Sequence, residues 1–353
     1  MAYKIFVVNP GSTSTKIAVF NNEECAFKKS IRHDPAELSA FQADVDQYWY
    51  RVNVIKEILK ENGFELDGFD AFVGRGGILR PLAGGTYRVN KQMLEDLRTS
   101  RYGNHASNLG ALIVSELAAA HSKEAYVVNP PVVDELMEVA RVTGLPEIKR
   151  TSVFHALNQK AVAIRAARDT GVDYNKSRFI VAHLGGGVSV GAHDMGRVTD
   201  VNNGLEEGPF TPQRTGSLPV IQLVDLCFSG KYTKAEINKL LVGKGGLYAH
   251  TGISDGVVLA EKAEKDSSVK LLFDAMAYRI AREICACAAT LYGKVDRVII
   301  TGGLANDTVL VDKIKERVSF LGPVSVYPGE DEMSALAEGM MRVLEGHETV
   351  LEY

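Results

Sequence analysis

Hydrophobic and polar positions follow two patterns along this chain. Short apolar runs bounded by small polar turns predict strands at residues 5–8 and 16–20, separated by Asn9-Pro10-Gly11-Ser12-Thr13-Ser14-Thr15. The same arrangement returns at 179–184 and 188–193, this time around Gly185-Gly186-Gly187. Both read as β-hairpins with tight turns. Further short strands are expected at 71–73, 125–128 and 297–301. Elsewhere apolar residues recur at i, i+3, i+4, predicting helices over 52–59, 91–97, 108–120, 156–167, 218–228 and 257–289. A closing helix is expected over 334–344 with Ser334 as its N-cap.

Strands alternating with helices argue for an α/β protein. The two hairpins are a weak internal echo, Gly11 and Gly186 lying 175 residues apart, close to half the chain. That spacing suggests two halves of like architecture, each opening with a hairpin. The boundary is expected near Thr151, after the Leu145-Pro146 turn, giving lobes of 1–150 and 151–333. The C-terminal stretch 334–353 is expected to complete the first lobe.

Composition narrows the function classes. The chain has 353 residues, 46% hydrophobic and 24% charged, ordinary for a globular protein and unlike a disordered one. With 44 acidic against 40 basic side chains the net charge is −4, which disfavours nucleic acid as a partner. No apolar stretch reaches the ~18 residues of a membrane span, and the apolar run at the start is too short for a signal peptide. Four cysteines (Cys25, Cys227, Cys285, Cys287) are too few and too oddly spaced for a disulfide framework. They read as reduced thiols, so a cytoplasmic protein is expected.

Three glycine turns are candidate phosphate sites. In the first, Gly11 tightens a turn whose hydroxyls and Lys16 offer convergent donors and a cation, although such a turn is often plain hairpin chemistry. In the second, three consecutive glycines are poor strand material and suggest close backbone approach. The third, Thr301-Gly302-Gly303-Leu304-Ala305, leads from a strand towards a helix near Thr308. No Walker A sequence is present. Three such turns without a P-loop point to a nucleotide clamped between two lobes.

At this point the residues carry a family resemblance. Val8-Asn9-Pro10-Gly11-Ser12-Thr13-Ser14-Thr15-Lys16 resembles the opening signature of the acetate and butyrate kinases, and within them the butyrate kinase branch. Gly74-Arg75-Gly76-Gly77, His105-Ala106-Ser107-Asn108-Leu109-Gly110, Phe154-His155-Ala156-Leu157-Asn158-Gln159-Lys160, His183-Leu184-Gly185-Gly186-Gly187, Glu207-Gly208, Arg214-Thr215-Gly216-Ser217 and Thr301-Gly302-Gly303 continue it in order. The resemblance implies the duplicated actin-like (ribonuclease H-like) fold with ATP in an interlobe cleft. It implies phosphorylation of a short-chain carboxylate, butyrate above others, to an acyl phosphate with Mg²⁺, and a homo-oligomer. Carried over, Asn9, Ser12, Ser14 and Lys16 resemble the first phosphate loop, and His183 with Gly185, Gly186 and Gly187 the second. Arg75 and Arg214 resemble the arginines that bracket carboxylate and phosphoryl group, and His155 the histidine that steadies the phosphoryl oxygens. Asp255, Gly302, Gly303 and Ala305 fall near adenosine, Glu332 at a magnesium carboxylate, and Gly76, Gly77, His105 and Phe154 at the acyl pocket.

Three departures qualify this. Asn129 stands where acetate kinases have an aspartate, among the catalytic positions. A carboxylic acid is already ionised at neutral pH and needs no base to attack phosphorus, so Asn129 argues against a hydroxyl substrate rather than against catalysis. It leaves Glu332, or Asp134, for the metal. Relatives tend to place an arginine soon after the aspartate at Asp255, and this chain has none. Gly76 and Gly77 replace bulky apolar residues, so a roomier pocket for a four- or five-carbon acid is expected, each buried CH₂ being worth ~0.8 kcal/mol. An acetate, propionate or branched-chain acid kinase, or an inactive nucleotide sensor, are the alternatives. The helix around 275–289 suits either a subunit interface or a buried core.

Overall fold

The computed structural model describes residues 2–253 and 256–353. One sheet is built from β1 (Lys4–Pro10), β2 (Ser14–Asn21), β3 (Glu24–Arg32), β4 (Ala71–Arg75), β5 (Thr86–Arg88) and β6 (Ala125–Val128). A second contains β7 (Arg178–Leu184), β8 (Val188–Asp194), β9 (Arg197–Val201), β10 (Arg297–Gly302) and β11 (Val324–Pro328). The last strand, β12 (Leu351–Glu352), returns to the first sheet beside β5. The sheets run β12-β5-β6-β4-β1-β2-β3 and β11-β10-β7-β8-β9.

The hairpin echo therefore extends to five strands. In each sheet an antiparallel meander of three strands is followed by two strands parallel to its first member. The chain forms two compact units, residues 1–134 with 331–353, and residues 135–330. This division falls earlier than position 150. Glu135 accepts from the Val198 amide at 2.7 Å and pairs with Lys160 at 2.9 Å, both in the second unit. Arg150 is likewise bound there, to Asp200 and Glu207.

Parallel strands covered on both faces are apolar throughout, and Ile5 to Val8 of β1 are all fully buried. Phe6, Val8, Ile17 and Val19 pack on Ile55 and Leu59 of helix Tyr48–Glu61 and on Leu109 and Ile113 of helix Asn108–Ala119. In the second unit Ile180, Ala182 and Leu184 meet Met276, Ile280 and Ile284 of helix Ser267–Thr290. The inward face of this helix is thus core.

Capping decides two boundaries that periodicity misses. The helix expected over 257–289 divides into Gly256–Lys265 and Ser267–Thr290, because the Asp266 carboxylate caps the second by accepting from the Ser268 and Val269 amides. The closing helix runs Glu332–Leu344 and is capped by Asp331, which accepts from the Ser334 amide and hydroxyl. Ser334 is therefore not the cap, and Glu332 opens the helix. Gly339 of that helix lies against Val128, with room for no side chain between them.

The turn between β1 and β2 is held from within by Arg51, the largest fully buried side chain described. Its guanidinium donates to the carbonyls of Gly11 (2.8 Å), Ser12 (3.1 Å) and Ser14 (3.1 Å), to Thr15 Oγ1 (2.9 Å) and to Gln47 Oε1 (2.7 Å). In a trans peptide the N–H points opposite the carbonyl, so drawing the Gly11 and Ser12 carbonyls inward turns the Ser12 and Thr13 N–H groups outward. His33 closes the other side. Its amide donates to the Thr13 carbonyl and its Nε2 meets Thr15 Oγ1 at 2.8 Å. Burial first, then the nearby Arg51 charge, depress its pKa from 6.5 to about 4, and Nδ1 has no hydrogen-bond partner.

Two outcomes are expected. Arg51→Met leaves buried carbonyls without donors and should lower unfolding free energy in urea by about 3 kcal/mol or more. Because native His33 resists protonation while the unfolded chain accepts a proton below pH 6.5, its contribution is present above pH 6.5. It is lost as pH falls towards about 4, a change on the order of 3 kcal/mol. Urea titrations across this range should show a shallower loss in His33→Gln.

Candidate functional site

In the first unit the site gathers at the ends of β1 and β4, where open α/β sheets bind ligands. Asn9 and Lys16 are directly opposite across the hairpin, Asn9 buried and Lys16 exposed. Between them Ser12 is exposed and Ser14 half-buried. Glu332 is shared: Asn9 Nδ2 donates to Oε2 at 2.6 Å, and Arg75, at the end of β4, pairs with Oε1. The first turn of a helix favours this negative charge. Both carboxylate oxygens are thus bound to groups of the same site.

Gly76 and Gly77 do not open a pocket. A Cβ on Gly76 would come 2.4 Å from Pro130 Cβ, and one on Gly77 would come 2.5 Å from Asn108 Oδ1 and 2.7 Å from Leu97. The expectation of extra acyl room at these glycines is corrected: neighbours occupy the space their side chains would take. Asn108 is fully buried and accepts from the Ile78 amide at 2.8 Å, which explains the close approach. Asn129 is buried with φ 39°, its amide donating to the Gly85 carbonyl and its Oδ1 accepting from the Gly85 amide. In this position it braces the strand end. His105 is exposed and bonds through Nδ1 to Ser107 at the start of helix Asn108–Ala119.

The second unit assembles more of the expected residues. His155 precedes helix Ala156–Thr170, and its ring stacks on His183 of β7 with centroids 3.7 Å apart and 9° between planes. His183 is bound on both sides, by Asn158 Oδ1 at 2.7 Å and by Glu330 Oε1 at 2.9 Å. The loop after it is tight, with the Gly185 amide donating to the Gly187 carbonyl and Thr211 Oγ1 donating to the Gly186 carbonyl at 2.7 Å. Gly186 faces open space.

Gly187 is required by Arg214, whose Nη1 lies 2.2 Å from where a Cβ would stand. The Arg214 guanidinium donates to the Gly204 carbonyl at 2.8 Å and has no acidic partner among the described residues. Burial alone lowers its pKa, so the site carries an uncompensated positive charge suited to an anion.

Gly302 adopts φ 93°, with the Leu184 carbonyl 2.3 Å from any Cβ, so only glycine fits. Gly303 and Leu304 then line a largely apolar cleft of about 450 Å³ with Pro212, Leu247, Phe273 and Met276, a size usual for small-molecule sites. Ala305 is buried behind it. Asp255 lies outside the described residues. Phe154 is buried in the second unit. Sequence reasoning missed Arg51, Ser189 and Thr211, and gave Gln159, although within a motif, no role. Arg51 left one signal, a cation directly before Val52 on the apolar stripe of its helix.

The acetokinase family model matches residues 146–334. A butyrate kinase 2 of Clostridium acetobutylicum is 50% identical over 355 aligned positions, spanning 100% of both chains. An acetate kinase of Porphyromonas gingivalis superimposes with a TM-score of 0.78 at 20% identity, covering 96% of this chain and 99% of that one. A propionate kinase of Francisella tularensis does so at 0.72 and 20% identity, covering 96% and 98%. The two structures establish a common fold, and the full-length relative carries the likeness to the level of sequence. The chain belongs to the acetokinase family, the group of the acetate and butyrate kinases.

Proposed function

We propose that this protein transfers the γ-phosphoryl group of ATP reversibly to a short-chain carboxylate, with butyrate as the preferred acid. A carboxylate oxygen attacks the γ-phosphorus, the bond to the bridging oxygen of ADP breaks, and an acyl phosphate forms. Such transfers are governed by positioning and by cations that meet the developing charge. The observation that carries this reading is Arg214, half-buried beside Gly187 with no carboxylate partner among the described residues. A guanidinium fork left unpaired in a phosphate-type loop is suited to a phosphoryl oxygen or a carboxylate.

Each unit supplies its own set. The first offers Asn9, Ser12, Ser14, Lys16 and Arg75. The second offers His155, His183, Arg214, the glycine loop and the apolar cleft at Gly303, suited to an adenine. Butyrate rather than acetate rests on the relative at half identity, since Gly76 and Gly77 give no basis for chain length. Mg²⁺ takes one or two carboxylates and completes its shell with phosphate oxygens and water. Glu332 beside Asn9 fits that role, and the ion would neutralise phosphate charge there. Among the described residues no cluster of three or more His, Cys, Asp or Glu is poised to hold a metal without the nucleotide.

A second copy of the chain is the partner we propose. Val220 (70% exposed), Ile221 (75%), Val224 and Phe228 (85%) leave one apolar stretch uncovered on and beside helix Val220–Cys227. No described helix is long and apolar enough to cross a membrane. A cytoplasmic location is consistent with four free thiols.

Trapping acyl phosphate as hydroxamate, with ATP, Mg²⁺ and acids of two to six carbons, should give the highest kcat/KM with butyrate. Absence of turnover with every acid would leave a nucleotide-binding protein without catalysis. Arg214→Lys, which keeps the charge but loses the planar fork, should lower kcat by roughly 100-fold or more with an unchanged urea midpoint.

A further inference from the structure

Behind His155 lies a line of buried polar side chains to which the motifs assign no role. Ser189 on β8, Gln159 on helix Ala156–Thr170 and His193 on β8 are fully buried, and Tyr174 is nearly so. The direction of every hydrogen bond among them follows from one group that can only accept. The Ser189 backbone carbonyl lies 3.0 Å from Gln159 Nε2, so this must be the amide nitrogen, and it donates. The same nitrogen reaches Ser189 Oγ at 2.8 Å with its second hydrogen.

That orientation turns Gln159 Oε1 towards His193 Nε2, 3.1 Å away. An amide oxygen only accepts, so His193 carries its hydrogen on Nε2. Complete burial, then the charge of Lys160, keeps this ring neutral. Its Nδ1 is therefore an acceptor, met by the Tyr174 hydroxyl at 2.9 Å. At the other end Ser189 Oγ receives Gln159 Nε2 and, at 3.4 Å, the His155 amide. With both lone pairs engaged, the serine hydrogen points to His155 Nδ1 at 2.8 Å.

We propose that Tyr174, His193, Gln159 and Ser189 form a one-way hydrogen-bond chain that locks His155 as its Nε2–H tautomer. They are positioning residues. The lock presents a neutral N–H donor to a phosphoryl oxygen, a consequence that rests on the phosphotransfer reading above. A neutral ring also suits the stack on His183, since two imidazolium faces 3.7 Å apart repel.

The test is long-range ¹H–¹⁵N correlation on histidine-labelled protein, with the His155 signals assigned by their loss in His155→Gln. The expected result is a pyridine-like Nδ1 and a pyrrole-like Nε2. A pyrrole-like Nδ1 in the wild type overturns the proposal. In Ser189→Ala the two nitrogens should move towards averaged shifts, and kcat should fall about 10-fold while KM for ATP stays within about 2-fold. Unchanged His155 shifts in Ser189→Ala also overturn it. Should His155→Gln retain full kcat while the wild-type shifts are as stated, the tautomer lock is upheld and the phosphoryl role of His155 is what fails.

Discussion

A tight polar turn at the end of a buried strand can bind an anion only if its carbonyls are satisfied on the protein side. Arg51 meets this condition for the first hairpin by collecting three carbonyls and a hydroxyl at one guanidinium. The cation is expensive to bury, and the carbonyl dipoles offset that cost. Thr211 performs a smaller version of the task in the second unit, bonding the carbonyl of Gly186. The surrounding strands, core and helices hold these supports in register.

The charge pattern follows from the same requirement. Arg75 and Arg214 are treated differently: Arg75 is paired with Glu332, whereas Arg214 is held by a carbonyl and has no acidic partner among the described residues. Glu332 joins Asn9 and Arg75 because Asp331 starts the closing helix one residue before it. A single cap thus decides where this carboxylate lies.

Glycine has three distinct uses here. Gly186 is open and leaves a loop face clear, and Gly302 is needed for its backbone conformation. Gly76 and Gly77 permit close packing against Pro130, Asn108 and Leu97. The letter is the same in each case, and only the neighbours distinguish a pocket from a packing contact.

By itself the sequence determined what is local and periodic. Both hairpins, the α/β class, most helices and the glycine turn at Gly185 to Gly187 were legible because strand and turn preferences act over a few residues. The order of the motifs also identified the family. Long-range pairing was not legible: that five strands repeat in order, that Glu135 belongs to the second unit, that Arg51 reaches back 40 residues to Gly11. Nor was the chain from Tyr174 to His155, since its hydrogen-bonded pairs lie 19 to 34 residues apart and follow no helical or strand period. Tertiary structure decided these because hydrogen-bond direction and burial depend on which groups share a volume, and neighbouring letters do not encode that.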